Sequence, residues 1–450
     1  MNSVADSSPI HSSSSSEDFA SFLDSHLDGG SPSSDSASEQ QELERELESG
    51  KHSSVPECKR IKVFAGETVE KIADSRSEAS SSGNDCSHPG TFGGMCISCG
   101  QMLNEESGVT FSYVHKGLRL GNDEIVRLRN RDMKALQSRK KLYLVLDLDH
   151  TLLNSTHIRD MISEEEYLKG QADSLQDISK GSLFLLELMG MITKLRPFVR
   201  TFLEEASKLF EMYIYTMGER AYALQMSKLL DPNQEYFTGR VISRDDGTGK
   251  HEKRLDIVLG QESAVLILDD TELAWTKHNE NLIVIERYHF FASSCRQFNL
   301  AHKSLSERKQ DERENDGALA TVLEVLKRVH HNYFDGVVDD YEPRDVRKVL
   351  EEVRKGVLKG CNIVFSHIFP TEIRAESHPL WQMAEQLGAE CFTDVQSSVT
   401  HVVSKHCGTE KSKWALKHNK FIVNPSWIEA ARMLWQRQPE VNFPVIQREN

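Results

Sequence analysis

The stretch KLYLVLDLDHTLLNS, residues 141–155, places two aspartates one residue apart at the end of an apolar run. A strand that ends where the chain turns explains one aspartate easily and two less easily, because burying an unpaired carboxylate is costly. Side chains alternate along an extended backbone, so Asp147 and Asp149 point in different directions and can have different roles. The stretch therefore predicts a buried strand that carries a site with two carboxylates.

Composition divides the chain into a polar tail and folded domains. A length of 450 residues predicts two or three domains. The first 50 residues hold 11 acidic residues, one arginine and 16 serines, which is −10 of the net charge of −15. Such a segment buries too little apolar surface to offset its chain entropy. We therefore predict an acidic, Ser-rich disordered tail over residues 1–85, with at most a short helix at EQQELERELES (39–49).

The sequence indicates neither a membrane protein nor a secreted one. No run approaches 18 apolar residues, and the best candidate, SLFLLELMGMI, contains Glu187. The acidic, Ser-rich N-terminus shows no secretory signal. The eight cysteines are unevenly placed, which argues against a disulfide framework and favours a reducing compartment. The basic run CKRIK (58–62) is either a solvated charge cluster, which we favour, or part of a nuclear localisation signal.

Four apolar runs predict a parallel α/β sheet between residues 120 and 300. Their continuous apolar character is typical of strands buried on both faces. The runs are LYLVLDLD (142–149), MYIYT (212–216), AVLILDD (264–270) and NLIVIE (281–286). Helices are expected at 194–210, with Pro197 in the first turn, and at 219–232. Residues 154–190 are too many for a simple turn and predict an inserted cap or hairpin over the strand ends.

Polar side chains follow these strands, at the edge of a parallel sheet where ligands bind. They are Asp147, Asp149, Thr216, Asp269 and Asp270. Lys253, 16 residues before Asp269, is expected on a helix leading to the third strand. Four carboxylates around one point need a cation, and hard oxygen ligands suit Mg²⁺.

A lysine and a threonine beside a divalent cation suit a phosphoryl group. The set predicts phosphoryl transfer through an aspartyl-phosphate. One aspartate attacks phosphorus, and the other donates a proton to the leaving oxygen and later activates water.

Four ordered motifs resemble those of haloacid-dehalogenase-type phosphatases. DLDHT matches the DxDxT signature, and YTMG, Lys253 and LILDD follow in the family's order and approximate spacing. LRPFVRTFLEEAS, YIYTMGERAYA and DDTELAWTKHNENLIVIERYHFF look more specifically like phosphatases of the RNA polymerase II C-terminal domain, most closely the plant members. The resemblance covers about residues 115–300. It implies a haloacid-dehalogenase-like parallel-sheet core with an inserted cap, in a catalytic domain at 120–300.

The resemblance also implies a role for each site residue. Asp147 would be the nucleophile and a Mg²⁺ ligand, and Asp149 the general acid and base, with its backbone carbonyl on the metal. Thr216 and Lys253 would bind phosphate. Asp270 is favoured as the metal carboxylate, with Asp269 coordinating or supporting it. Arg196 would either bind phosphate or form a surface salt bridge at a helix start.

A second folded unit is expected at 355–446, after a charged linker and helices at 301–354. Its segments LKGCNIVFSHIF, LGAECFTDVQSSVTHVVSK and FIVNPSWIEAA resemble a BRCT domain, an α/β fold. In that resemblance Trp427 packs in the core. Ser366 and Lys413 match positions that bind phosphate in some members, but His367 stands where those members have glycine. Protein interaction is therefore favoured over phosphopeptide binding.

Residues 86–119 form a small Cys/His segment. Cys86, His88, Cys96 and Cys99 have the spacing of a zinc site, since Cys-x₂-Cys is a good zinc chelate. Free thiols are the alternative.

The residues themselves predict phosphoryl transfer. The resemblance implies a nuclear, Mg²⁺-dependent phosphatase of phosphoserine in the RNA polymerase II repeats, regulating transcription, with the BRCT unit anchoring the substrate or a partner. A general transcription factor is a candidate partner, although the chain ends at VIQREN without the acidic tail used for such docking. No membrane and no direct DNA binding are expected. A DNA-end phosphatase would need a basic groove, which the acidic chain does not suggest. A BRCT scaffold with an inactive core is disfavoured because every motif residue is intact.

Overall fold

The computed structural model describes residues 86–103, 108–247, 249, 252–335, 344–370 and 374–445. The tail at 1–85, including the expected helix at 39–49 and the basic run at 58–62, lies outside the described residues. Within the described ranges, no helix has the length and apolar character needed to cross a membrane.

A small antiparallel sheet and a long helix come first, and together we call them the N-terminal module (residues 86–138). The strands are β1 (Gly90–Phe92), β2 (Met95–Cys96), β3 (Val109–Thr110) and β4 (Leu118–Leu120), in the order β2-β1-β4-β3, followed by helix α1 (Asn122–Ser138). Such short strands are marginal alone. They gain stability because Phe111, Leu120 and Ile125 pack with Val145 and Ile267 of the main sheet.

The main sheet has five parallel strands, which confirms the predicted fold class. They are β5 (Leu142–Leu146), β9 (Phe210–Tyr215), β10 (Val241–Ile242), β11 (Val265–Asp269) and β12 (Leu282–Val284), in the order β10-β9-β5-β11-β12. All residues of β5 and β11 are buried, as their continuous apolar runs predict. The first strand ends earlier than its apolar run, because the chain leaves the sheet at Asp147 to form a loop.

In the described residues between 199 and 355 there are five α-helices. They are α2 (Val199–Leu209), α3 (Arg220–Leu230), α4 (Ala292–Gln297), α5 (Ala318–Asp335) and α6 (Val346–Lys355). The placement of Pro197 in a first helical turn is wrong, because α2 begins after Phe198, which has φ 68°. The helix expected at Lys253 is also wrong. Lys253 precedes a short 3₁₀ turn at Leu255–Ile257.

The segment after the first strand forms a separate antiparallel sheet, which confirms the inserted cap. Its strands are β6 (Leu153–His157), β7 (Leu183–Leu186) and β8 (Met191–Leu195), in the order β6-β8-β7. Leu153 pairs with Leu195, so the cap starts and ends next to the loop that carries the two aspartates.

The charged segment at 303–317, expected to be part of a linker, packs on the main domain. Ser304 and Ser306 are buried, and the Tyr167 hydroxyl donates to the Ser306 carbonyl at 2.9 Å. Asp311 accepts a hydrogen bond of 2.7 Å from the Tyr288 hydroxyl. The charged side chains of this segment therefore face polar groups from distant parts of the chain, and local composition does not reveal such pairing.

The C-terminal unit contains a second parallel sheet. Its strands are β13 (Asn362–Ser366), β14 (Glu390–Phe392), β15 (His401–Ser404) and β16 (Phe421–Val423), in the order β14-β13-β15-β16. The helices are α7 (Pro379–Gln386), α8 (Glu410–Lys417) and α9 (Ser426–Leu434). Trp427 is fully buried among Ile363, Leu380 and Val423, which confirms its packing role.

The C-terminal unit contacts the main domain at the end of α9. Trp435 shares an apolar cluster with Leu350 and Val353 of α6, and the guanidinium of Arg354 lies 5.3 Å from its ring centre. These contacts make α6 part of the interface between the two folded units.

Candidate active site

Three carboxylates meet at the carboxyl end of the main sheet, on neighbouring strands β5 and β11. Asp147 directly follows β5, Asp269 is the last residue of β11, and Asp270 comes next. One oxygen of each lies within 4.8 Å of the others, close enough to share a metal ion. The backbone N–H of Asp147 donates to the Leu268 carbonyl at 3.0 Å, which holds the two strand ends in register.

Lys253 is the cation at the centre of this cluster. Its Nζ lies 2.6 Å from Oδ1 of Asp147 and 2.7 Å from Oδ2 of Asp269. The residue is buried, which alone would lower its pKa, but the two carboxylates raise the pKa of Lys253 above its ordinary value. The group is therefore an ammonium that pairs with both carboxylates.

One lysine does not balance the negative charge collected here. Burial raises the pKa of Asp147 well above its ordinary range, and the neighbouring carboxylates raise it further, although Lys253 lowers it. Burial likewise raises the pKa of Asp269. Hard carboxylate oxygens with an excess of negative charge match the ligand preference of Mg²⁺. The donor set therefore fits that ion.

The two candidate metal carboxylates at the end of β11, Asp269 and Asp270, differ in the protein donors that bind them. Asp269 accepts the Trp275 indole N–H on Oδ2 and the Thr271 backbone N–H on Oδ1, both at 2.8 Å. Asp270 accepts Nε of Arg287 on Oδ2 at 2.6 Å. Asp269 thus accepts hydrogen bonds on both oxygens, whereas the hydrogen bond that Oδ1 of Asp270 accepts from the described residues is the 3.5 Å contact with the Thr151 hydroxyl.

Arg287 is a site residue that the sequence analysis missed. Burial would raise the pKa of Asp270, but the Arg287 guanidinium and other nearby positive charge lower it below its ordinary value. Arg287 comes three residues after β12, at the same sheet edge as the aspartates. The rule that ligands gather beyond the carboxyl ends of parallel strands could have found it.

Asp149 lies apart from the three-carboxylate cluster and contacts hydroxyl groups. Its Oδ1 accepts the Tyr222 hydroxyl at 2.5 Å, and its Oδ2 accepts the Thr216 hydroxyl at 3.4 Å. Oγ1 of Thr216 in turn accepts the Gly218 backbone N–H at 2.9 Å. Burial raises the pKa of Asp149, although the Tyr222 bond opposes the rise. Tyr222, on α3, was also missed.

Arg196, for which phosphate binding was predicted, directs its guanidinium at protein acceptors. Its guanidinium donates to both oxygens of Glu312, at 2.7 and 2.9 Å, and to the carbonyls of His150, Thr151 and Glu286. These five bonds use all five N–H donors of an arginine. The predicted alternative, a salt bridge, is present with Glu312, but it is not at the surface because the Arg196 side chain is 0% exposed.

Arg196 instead supports the loop that carries the paired aspartates. His150, between Asp149 and Thr151, has φ 63°, a left-handed conformation that is uncommon for residues other than glycine. The Arg196 guanidinium binds the two carbonyls that follow this turn. It therefore helps to fix the backbone between the aspartates and the cap.

The predicted zinc ligands come together in the N-terminal module. Sγ of Cys86 lies 3.8 Å from Sγ of Cys96, and Sγ of Cys99 lies 3.6 Å from Nδ1 of His88. All four ligand atoms lie within 4.8 Å of one another, and the three cysteines form no disulfide. Burial would raise the pKa of Cys96, but hydrogen bonds from backbone N–H groups and His88 lower it to about 6.

The two residues considered for phosphate binding in the C-terminal unit have separate partners. The Ser366 hydroxyl donates to Oγ1 of Thr409 at 2.8 Å, whereas Nζ of Lys413 pairs with exposed Glu410 at 2.9 Å. Lys411, rather than Lys413, donates to the Phe365 carbonyl at 3.1 Å.

Fold and site together define a phosphatase domain followed by a BRCT domain. Residues 142–335 match the family model of NLI interacting factor-like phosphatases, and residues 353–431 match that of the BRCA1 C Terminus (BRCT) domain. The chain is 60% identical to Arabidopsis thaliana RNA polymerase II C-terminal domain phosphatase-like 4 over 444 residues, covering 98% of this chain and 97% of that protein.

The chain therefore belongs to the family of RNA polymerase II C-terminal domain phosphatases. It is also 43% identical to Arabidopsis thaliana RNA polymerase II C-terminal domain phosphatase-like 3, over 71% of this chain and 27% of that protein. A solved structure of Fcp1, an essential RNA polymerase II CTD phosphatase, matches with a TM-score of 0.55 at 25% identity, covering 71% of this chain and all of that chain. The family makes this chain a protein phosphatase.

Proposed function

We propose that the chain removes phosphate from serines of the C-terminal repeats of RNA polymerase II, in the nucleus, and so regulates transcription. The observation that carries this proposal is the cluster of Asp147, Asp269 and Asp270 around Lys253. It has the nucleophile, countercharge and metal donors of phosphoryl transfer, in a chain whose relatives are named for this substrate.

In the first step, a carboxylate oxygen of Asp147 attacks the phosphorus of phosphoserine. The bond between phosphorus and the serine oxygen breaks as the aspartyl-phosphate forms. Asp149 donates a proton to the departing serine oxygen, so serine leaves as an alcohol. The ammonium of Lys253 and the hydroxyl of Thr216 hold the oxygens of the phosphoryl group.

In the second step, water releases the phosphate. Asp149, now a carboxylate, takes a proton from a water molecule that attacks phosphorus. The bond to Asp147 breaks, inorganic phosphate leaves, and the Asp147 carboxylate is restored. Tyr222, 2.5 Å from Oδ1 of Asp149, fixes the orientation of the carboxyl that transfers the proton.

Asp147, Asp270 and the backbone carbonyl of Asp149 would hold Mg²⁺, and Asp269 would support them by orienting Lys253. When bound, the ion neutralises charge on the transferring phosphoryl group. The position of Asp269, with both oxygens already engaged, favours Asp270 as the second carboxylate ligand.

The decisive experiment compares two substrates, a phosphoserine heptad peptide and a 3′-phosphorylated DNA end, on the wild type and on Asp147→Asn. We expect Mg²⁺-dependent release of phosphate from the peptide, and a loss of at least about 1,000-fold in kcat in the variant, as for other covalent nucleophiles. Asp177→Asn, which alters an exposed aspartate, is the control. Full activity of Asp147→Asn would refute the mechanism, and a preference for DNA would refute the substrate.

The cluster of Cys86, His88, Cys96 and Cys99 is proposed to hold a structural zinc ion. Three sulfurs and one imidazole nitrogen form a common tetrahedral zinc site. The ligand spacings of 3.6 and 3.8 Å suit four atoms around one ion. Zinc analysis of purified protein should give one ion per chain, and the Cys99→Ser variant should lose it. Zinc-free protein with an unchanged melting temperature would contradict the proposal.

A further inference from the structure

The position of Lys253 depends on a segment that has little regular structure of its own. Lys253 belongs to neither a helix nor a strand, and the turn at Leu255–Ile257 follows it. Its backbone N–H donates to the Ala274 carbonyl at 2.9 Å. Because Lys253 and this turn are almost contiguous in the chain, whatever holds the turn also limits where Lys253 can lie.

Arg129 of helix α1 binds three of the backbone carbonyls in this segment. Its Nη2 lies 2.9 Å from the carbonyl oxygens of Leu255, Asp256 and Val258, and its Nε lies 3.3 Å from that of Val258. The contact joins parts of the chain that are 126 residues apart in the case of Leu255. A guanidinium is suited to such a task because its donors form a rigid fork.

Tyr113, which follows β3, binds the remaining carbonyl. Its hydroxyl donates to the Ile257 carbonyl oxygen at 2.9 Å, and both groups are buried. Leu255 and Ile257 are fully buried and pack in one apolar cluster with Phe111 and Leu128. All four consecutive carbonyls of residues 255–258 thus accept hydrogen bonds from side chains of the N-terminal module.

We propose that Arg129 and Tyr113 are positioning residues of the phosphatase, which hold residues 255–258 and thereby keep the Lys253 ammonium at the carboxylate cluster. The inference rests on the proposed function, because it assumes that Lys253 acts on the phosphoryl group. On this proposal the N-terminal module is required for full catalytic activity, although Arg129 and Tyr113 do not touch substrate.

Geometry explains why the support matters. The ammonium of Lys253 bridges two carboxylates at 2.6 and 2.7 Å, and a shift of about 1 Å away from them would take both contacts beyond hydrogen-bond range. Misplacing a catalytic group by about 1 Å can lower the rate about 100-fold. A buried carbonyl without a donor would rearrange to find one, and the turn would move with it.

The first test compares Arg129→Gln and Tyr113→Phe with matched controls. Arg127→Gln removes an exposed arginine of the same helix, which bonds Glu124, and Tyr167→Phe removes a hydroxyl that donates to a backbone carbonyl elsewhere. We expect kcat on the phosphopeptide to fall about 10-fold in Arg129→Gln and about 3-fold in Tyr113→Phe, in proportion to the bonds lost. Activity is measured well below each melting temperature. Unchanged kcat in both variants would overturn the proposal.

The second test asks whether Arg129 acts through Lys253. A double-mutant cycle combines Arg129→Gln with Lys253→Met, under single-turnover conditions with enzyme in excess so that slow variants remain measurable. We expect Arg129→Gln to change the rate less than about 2-fold once Lys253 is absent. A merely structural role would lower the rate about 10-fold in either background, and that result would overturn the proposal.

Hydrogen exchange supplies a readout that does not depend on activity. The amides of residues 252–258 should exchange faster in Arg129→Gln than in Arg127→Gln, whereas equal rates would count against the proposal. The outcomes also separate the two claims. If Lys253→Met retains wild-type activity, the role proposed for Lys253 fails. If Lys253→Met is impaired while Arg129→Gln is not, only the positioning inference fails.

Discussion

Replacing Glu312 by glutamine should destabilise the catalytic domain far more than its place in a charged surface segment suggests. Glu312 forms a bidentate pair with Arg196, whose side chain is 0% exposed, while that of Glu312 is 20% exposed. Glutamine keeps the size and one acceptor oxygen but removes the charge. The buried guanidinium then loses the carboxylate to which it is directly bonded.

The expected magnitude follows from this burial. Removing one partner of a buried ion pair costs about 3–5 kcal/mol, because the other charge stays uncompensated. Glutamine retains one hydrogen bond and the site is partly solvated, so we expect about 2 kcal/mol. For a domain of this size, about 2–4 °C of melting temperature are lost per kcal/mol, which predicts a fall of about 4–8 °C.

Thermal unfolding of Glu312→Gln is compared with Glu314→Gln, which removes an exposed charge two residues away. Glu314→Gln should melt within about 1 °C of the wild type, as most surface substitutions do. KM for the phosphopeptide should stay unchanged in both, because the N–H donors of Arg196 already bind protein acceptors. Equal melting temperatures for the two variants would refute the reasoning about the buried pair.

Three further outcomes are expected. Tyr222→Phe should lower kcat about 10-fold with little change in KM, because a hydrogen bond to a carboxylate contributes about 1.5–3 kcal/mol; equal losses of kcat in a Tyr236→Phe control would contradict this. Burial lowers the pKa of His401 in the folded chain to about 4, whereas an unfolded histidine has a pKa of about 6.5. Between these two pH values the unfolded chain binds one proton more than the folded chain, so the free energy of unfolding of the BRCT unit should fall by up to about 3 kcal/mol as the pH is lowered through that window. Urea unfolding of His401→Phe should lack this slope. Chelation by EDTA should abolish phosphatase activity and added Mg²⁺ should restore it, whereas activity in EDTA would exclude a required metal.

The main sheet could be predicted because its strands are buried on both faces. A run such as residues 142–146 has no alternative use for its apolar side chains, and the aspartates that follow it stand at a fixed sheet edge. Asp147, Asp269 and Asp270 therefore converge as their positions in the sequence predict. Cys86, His88, Cys96 and Cys99 are close in sequence, so their spacing alone was enough to predict that they come together.

Arg196 and Lys253 show where such reasoning fails. The motif around Arg196 indicates phosphate or a surface partner, but the acceptors that it binds come from three separate segments of the chain. An α/β pattern predicts a helix at Lys253, because such a pattern usually supplies one before a strand. The structure has a 3₁₀ turn there instead, held by donors of the N-terminal module.

Apolar runs and short residue spacings can be read directly from the sequence. They are enough to predict the two-unit α/β organisation, the order of the catalytic motifs and the positions of the paired aspartates. The partners of the supporting side chains depend on folding. Arg196 holds a loop, Arg287 and Tyr222 bind Asp270 and Asp149, and Arg129 and Tyr113 bind the segment after Lys253. A side-chain donor can satisfy any acceptor that folding brings within reach, so its partner is fixed by packing and not by sequence distance.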